Sequence, residues 1–185
     1  MTVFEFVFSL FGLLLGLSLA EVLGGFGKAV KARESVRIGW LTPLLGLLLM
    51  LDLTFYWFTA WAMRESFPGN SLTLLLLLAF TSLYYLAATL VFPEMPDLQP
   101  DFDTHYWRNK RIVLGVVFSL NSVFFVVDWF DERIFMGSSF DLALTGVFWV
   151  LLALTWWSRH KRTNLALLAM TIAVYPIGAI TGALN

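Results

Sequence analysis

The chain has 185 residues, of which 59% are hydrophobic and 14% charged, against about 25% charged in an ordinary soluble domain, and its mean hydropathy is +0.78. Its apolar residues run in blocks longer than a soluble core of this size can hide, which excludes a water-soluble globule. A formal net charge of -1, from 12 Lys+Arg and 13 Asp+Glu, speaks against nucleic acid as a partner, and the lack of cysteine removes disulfides, Cys-ligated zinc, iron–sulfur clusters and thiol catalysis.

A hydrocarbon layer about 30 Å thick takes about 20 apolar residues of helix. Six stretches qualify: Val3 to Gly27, Leu41 to Met63, Leu72 to Phe92, Ile112 to Phe130, Leu142 to Trp157 and Leu165 to Leu184. In lipid the backbone must satisfy itself, and these runs lack the period-two alternation of barrel strands, so they read as helices. The expected fold is all-α: a single transmembrane domain over residues 1–185, a polytopic bundle of six helices. No Lys or Arg precedes the first run and Glu5 stands where a signal peptide is basic, so this run is expected to be retained.

In the first helix Gly12, Gly16, Ala20 and Gly24 recur every four residues, a row of small side chains that lets another backbone approach. Packing inside the monomer is the expectation, and a subunit contact the alternative. Glu21 lies within two turns of the basic loop Lys28, Lys31, Arg33, Arg37; it is expected to snorkel to the interface, and as a further candidate ion-binding residue it offers the alternative of a gate or a salt bridge to Lys28 or Arg111.

Asp52 is roughly ten residues from either end of the second helix, where an Asp costs at least about 2.5 kcal/mol on the insertion scale. Tyr84 and Tyr85 in the third helix, Asn121 in the fourth with Ser119 and Ser122 beside it, and Tyr175 before Pro176 in the sixth fall at comparable depth. A carboxyl, an amide and phenols at one depth are what a site for a proton, a cation or a small polar solute requires. A structural hydrogen-bonded Asp tying helices together is the competing reading.

Helices three and six share a Ser/Asn-Leu-x-Leu-Leu start followed by a Tyr, and helices two and five share an aromatic far end. This suggests a 3+3 inverted repeat, as in many transporters. The first, third and fifth loops hold ten Lys/Arg and the other two hold Arg64 and Arg133, so the positive-inside rule puts the odd loops in the cytoplasm and both termini outside. Trp40, Trp107, Trp156 and Trp157 then fall at the inner interface, and Trp57, Trp61 and Trp129 near the outer one, as amphipathic indoles prefer.

In the connector after Pro93, Asp101, Asp103 and His105 alternate, and an extended backbone would set them on one face as weak candidate metal ligands. A polar, proline-stiffened connector is the simpler reading. Gly24-Gly25-Phe26-Gly27-Lys28 fails as a phosphate loop, because Val22 replaces the first glycine and Ala29 the Ser/Thr. With His105 and His160 both in loops, no zinc helix or intramembrane Ser-His pair arises, and an enzyme is not expected. No motif implies a cofactor, although an apolar bundle can hold a lipid or quinone.

Asp103-Thr104-His105-Tyr106-Trp107-Arg108-Asn109-Lys110-Arg111, entered from Phe92-Pro93, resembles a pattern in an uncharacterised family of small six-helix bacterial inner-membrane proteins. The likeness extends loosely to the Gly-rich first helix and to Gly39-Trp40-Leu41. It implies a bacterial inner membrane and no particular activity. Two functions are therefore expected: a small channel or secondary transporter centred on Asp52, or a non-transporting accessory, assembly or sensory subunit. The expected partners are the lipid bilayer and either another copy or another membrane protein.

Overall fold

The computed structural model describes residues 3–62, 64, 70–94, 101–130 and 139–184. Six helices follow in order: α1 Val3–Ala32, α2 Leu41–Ala62, α3 Ser71–Val91, α4 Phe102–Phe130, α5 Ser139–Trp157 and α6 Lys161–Leu184. All six are long and apolar enough to cross a membrane. Among the described residues the only β pairing is an isolated bridge between Arg37 and Asp101. The all-helical class with six long apolar helices expected from the sequence is the one observed among the described residues.

The largest departures are at the charged ends. α1 continues past Gly27 to Ala32, with Lys31 in its last turn, where a cation favours the carbonyl end of the helix dipole. α4 begins ten residues before Ile112, because the Asp101 side chain accepts from the Asp103 amide at 3.0 Å and so caps its first turn. Charge marks where an apolar run stops, not where the helix ends. At α3 the cap is also local: Asn70 Oδ1 accepts from the Thr73 amide at 2.9 Å.

α2 is the central helix, packed against α1, α3, α4 and α6, while α5 lies outside against α4 and α6. Leu45, Leu48, Leu49 and Leu53 on α2 are fully buried. α1 buries Val7, Phe11, Leu15, Ser18, Val22, Gly25, Ala29 and Ala32, a seam of three- and four-residue steps that keeps one helix face inward.

That seam corrects the expectation for the small-residue row. Gly12 meets Trp57, at 3.3 Å from where a Cβ would stand, but nothing lies within 4 Å of a Cβ at Gly16 or Gly24, and Ala20 is exposed. The helix turns this row away from the bundle because larger residues on the opposite face bury more apolar surface. Close approach occurs instead at Gly25 and Gly46, with Phe92 wedged between them, and at Gly115 against Trp156.

The 3+3 repeat is not matched by the helix neighbours. α1 packs extensively along α3, yet its counterpart pair, α4 with α6, has no comparable packing among the described residues. Composition alone accounts for the resemblance of the Leu-rich segments.

Residues 33–40, 92–94, 101 and 158–160 gather at one end. The Arg37–Asp101 bridge joins residues 33–40 to residue 101, and an ion pair between Asp103 and Lys161 brings in the start of α6. Lys28, Lys31, Arg33, Arg37, Arg108, Arg111, Arg159, Lys161 and Arg162 are exposed there, and Lys110 is buried. Trp40 and Trp157 are 72% and 81% exposed at this same end, as interfacial indoles should be. The Asp128 and Trp129 side chains, and residues Asp131, Glu132 and Arg133 of the acidic turn, lie outside the described residues.

Candidate functional site

Asp52 projects from the central helix into the bundle and is 3% exposed. Its position on the buried face follows from helical spacing, since Leu45, Leu48, Leu49 and Tyr56 lie three to seven residues away on the same side. Tyr84 on α3 donates its hydroxyl to Asp52 Oδ2 at 2.9 Å. Tyr175 on α6 donates to Oδ1 at 2.8 Å, and Asn121 Nδ2 on α4 donates to Oδ1 at 3.0 Å. A second Asn121 hydrogen goes to the Val117 carbonyl at 2.9 Å, which fixes the amide's orientation.

Four helices thus converge on one carboxyl group. Three neutral donors surround it, and among the described residues no Lys, Arg or His is paired with it. An acceptor-only carboxylate is well served by such a shell, because every nearby dipole points its positive end inward. Among the described residues no cation stands beside this carboxyl group to balance a charge on it.

Asp52 lines one wall of a cleft of about 280 Å³ that runs from α2 between α4, α5 and α6. Its walls include Phe55, Tyr56, Phe124, Phe148 and Trp149, and Thr59, Thr145 and Gly178 stand farther along, partly exposed. Thr59 follows Asp52 on α2, Phe124 follows Asn121 on α4, Gly178 follows Tyr175 on α6 and Thr145 is near the start of α5, so the cleft extends toward the end opposite the basic loops. In the other direction Leu48, Leu49, Leu114, Val117, Leu152 and Leu168 are each at most 2% exposed. A dry apolar layer therefore lies under the carboxyl, and polar access is from one end.

Edge-to-face contacts hold the aromatic walls: Tyr56 with Phe124 at 4.6 Å, Phe55 with Tyr175 at 5.0 Å and Phe148 with Tyr175 at 5.6 Å between ring centroids. The Tyr56 hydroxyl is buried and has no hydrogen-bond partner among the described residues. That is a costly state for a phenol unless something else uses it.

Asp52, Asn121, Tyr175 and Tyr84 are therefore brought together as the sequence led one to expect, whereas Tyr85 is 38% exposed and lies off the cleft. Glu21 is half-buried on α1, remote from Asp52's hydrogen-bonding shell, and has neither ion pair nor hydrogen bond among the described residues. Sequence reasoning missed Tyr56, although it sits one helical turn after Asp52 and so had to share its face. It also missed Phe148 and Trp149, which carry no local signal because their helix reaches the site only through packing.

Of the weak metal candidates, Asp103 and His105 lie in a helix that starts at Phe102, which removes the premise of an extended face. Asp103 and His105 are two residues apart on α4, about 200° around the axis. Asp103 pairs with Lys161 and lies against Gly39, while His105 Nε2 is 3.0 Å from the Leu90 carbonyl at the end of α3. Asp101 is engaged with Arg37 and the Asp103 amide. Among the described residues no group of three or more His, Asp or Glu side chains is placed to hold a metal ion.

Lys110, one of the ten Lys/Arg of the basic loops in the sequence, is buried. Its ammonium donates to the Thr155 carbonyl at 3.0 Å, to the Ser158 carbonyl and to Asn164 Oδ1 at 3.0 Å, and it lies 4.5 Å from the Trp107 ring centroid. Tyr106 donates to the same Asn164 oxygen at 2.8 Å. A cation on the last carbonyls of α5 is favoured by the helix dipole, and the network ties α4, α5 and α6 together under the apolar layer. Comparison with family models, with curated proteins and with solved structures finds no match to the chain.

Proposed function

We propose that the protein is a small secondary transporter or channel of a bacterial inner membrane, with Asp52 as the group that takes up a proton, a cation or a small polar solute. The observation carrying this reading is an intramembrane carboxyl group without a protein cation, held by Tyr84, Asn121 and Tyr175 at the closed end of a cleft. A purely structural Asp would need no cleft beside it, and intramembrane acids facing a cavity commonly mark ion or substrate paths. The ten Lys/Arg near one end support a cytoplasmic placement of that end, with both termini and the cleft's far rim outside.

The test is flux in proteoliposomes driven by imposed proton, sodium or potassium gradients. Wild type should dissipate at least one of these gradients, and Asp52→Asn, which keeps the size and one oxygen, should lower the rate about tenfold or more. Unchanged flux in the variant removes Asp52 from the path.

The second reading, an accessory subunit, draws on the outward row Gly16, Ala20 and Gly24, which is open to another helix. Purification from native membrane with one stoichiometric partner, together with silent proteoliposomes, would replace the first reading by this one.

A further inference from the structure

Resting on the reading of Asp52 as a cation site, we propose that the cleft selects an organic ammonium ion with an aromatic or comparably bulky apolar body, in preference to a bare metal cation. The ammonium would sit between Asp52 and the Tyr56 hydroxyl, and the body would lie among Phe55, Phe124, Phe148 and Trp149.

Size supports an organic ion. At roughly 30 Å³ per water, a cleft of about 280 Å³ is far larger than one dehydrated metal ion, and it lies just below the usual range for small-molecule sites. Oxygen supply points the same way. A hard cation is best served by several oxygen ligands, charged ones above all, and the cleft supplies one carboxyl group; its other oxygens are neutral hydroxyls and an amide, with the hydrogens of Tyr84, Tyr175 and Asn121 directed at Asp52 and those of Thr59 and Thr145 at the Phe55 and Asp141 carbonyls, at 3.0 Å and 2.9 Å. Beside them stand one unpartnered phenol, Tyr56, and a set of aromatic rings.

That inventory fits a substituted ammonium. Its charge is less strongly hydrated than that of a small metal ion, its N–H groups match a carboxylate and a phenol oxygen, and aromatic rings attract it through their quadrupoles. The Tyr56 hydroxyl is the independent observation: no group among the described residues uses it, and Tyr56, 5% exposed, lines the cleft.

The experiment is equilibrium binding to the purified full-length protein in detergent, with phenethylammonium as the probe and phenethyl alcohol and phenylacetate as isosteres that lose or invert the charge. Phenethylammonium should bind saturably at one site, with both isosteres about tenfold weaker or worse. Asp52→Asn should lose about tenfold or more, and Trp149→Leu, which keeps an apolar wall without its ring, about threefold or more. Tyr56→Phe should also weaken binding severalfold while leaving thermal stability equal or higher, a combination a structural role would not give.

No binding of phenethylammonium overturns the proposal, as does equal binding of the alcohol or displacement by sodium at equal concentration. If Asp52→Asn fails to fold, Trp149→Leu and Tyr56→Phe decide, and unchanged affinity in both rejects it. Binding and flux separate the two proposals: gradient-driven flux without amine binding leaves transport and ends this inference, whereas amine binding without flux does the reverse.

Discussion

Asp52 is tolerated in the bundle because three donors replace the water it has lost, and their individual weights are open to measurement. Removing one hydroxyl from a buried shell leaves an acceptor short of a partner, a loss of about 1–3 kcal/mol. Tyr84→Phe and Tyr175→Phe should each lower stability by that amount in reversible unfolding from detergent micelles. Tyr56→Phe should not, since the hydroxyl it deletes has no partner among the described residues. An equal loss in all three would mean that the Asp52 hydrogen bonds contribute nothing specific. Residue type and depth made Asp52, Tyr84, Asn121 and Tyr175 legible in the sequence, because a polar group in hydrocarbon must find others. Lys110 was not legible: a cation near a helix start looks solvated until the carbonyls of Thr155 and Ser158 arrive from 45 and 48 residues away.

Helices were easier to find than to orient. Twenty apolar residues specify a span whatever its neighbours, so all six helices could be read in advance, but the inward face of α1 depends on which partners fill it. Small residues at Gly12, Gly16, Ala20 and Gly24 implied a contact face, yet the bundle chose the seam through Leu15, Val22 and Ala29. Glycine therefore matters one position away from where the row suggested. A Cβ at Gly25 would stand 2.2 Å from the Phe92 ring, and at Gly24 it would meet nothing within 4 Å. Gly25→Ala should destabilise by about 1–3 kcal/mol through overpacking, while Gly24→Ala should be neutral or slightly stabilising, helix propensity favouring alanine. Thermal unfolding of the two single variants side by side checks this, and a reversed order would place α1 differently against α3. The same logic covers Gly39, where the Asp103 carboxylate occupies the space of a Cβ.

At the scale of the whole molecule, the ends of the bundle are chemically unlike. One end is latched by Lys110, Asn164, Asp103 and Lys161 and carries nine exposed cations; the other receives the cleft. Loop charge biases orientation because Lys and Arg are retained on the cytoplasmic side, so the latched end should face inward and the cleft should take its ligand from outside. The chain offers a clean test, having no cysteine of its own. Ser71→Cys is exposed at the start of α3 on the cleft side, and Arg159→Cys is exposed between α5 and α6 on the latched side. A membrane-impermeant maleimide applied to intact cells should label the first, and should label the second only after permeabilisation. Labelling in the opposite sense would invert the topology and turn the cleft toward the cytoplasm.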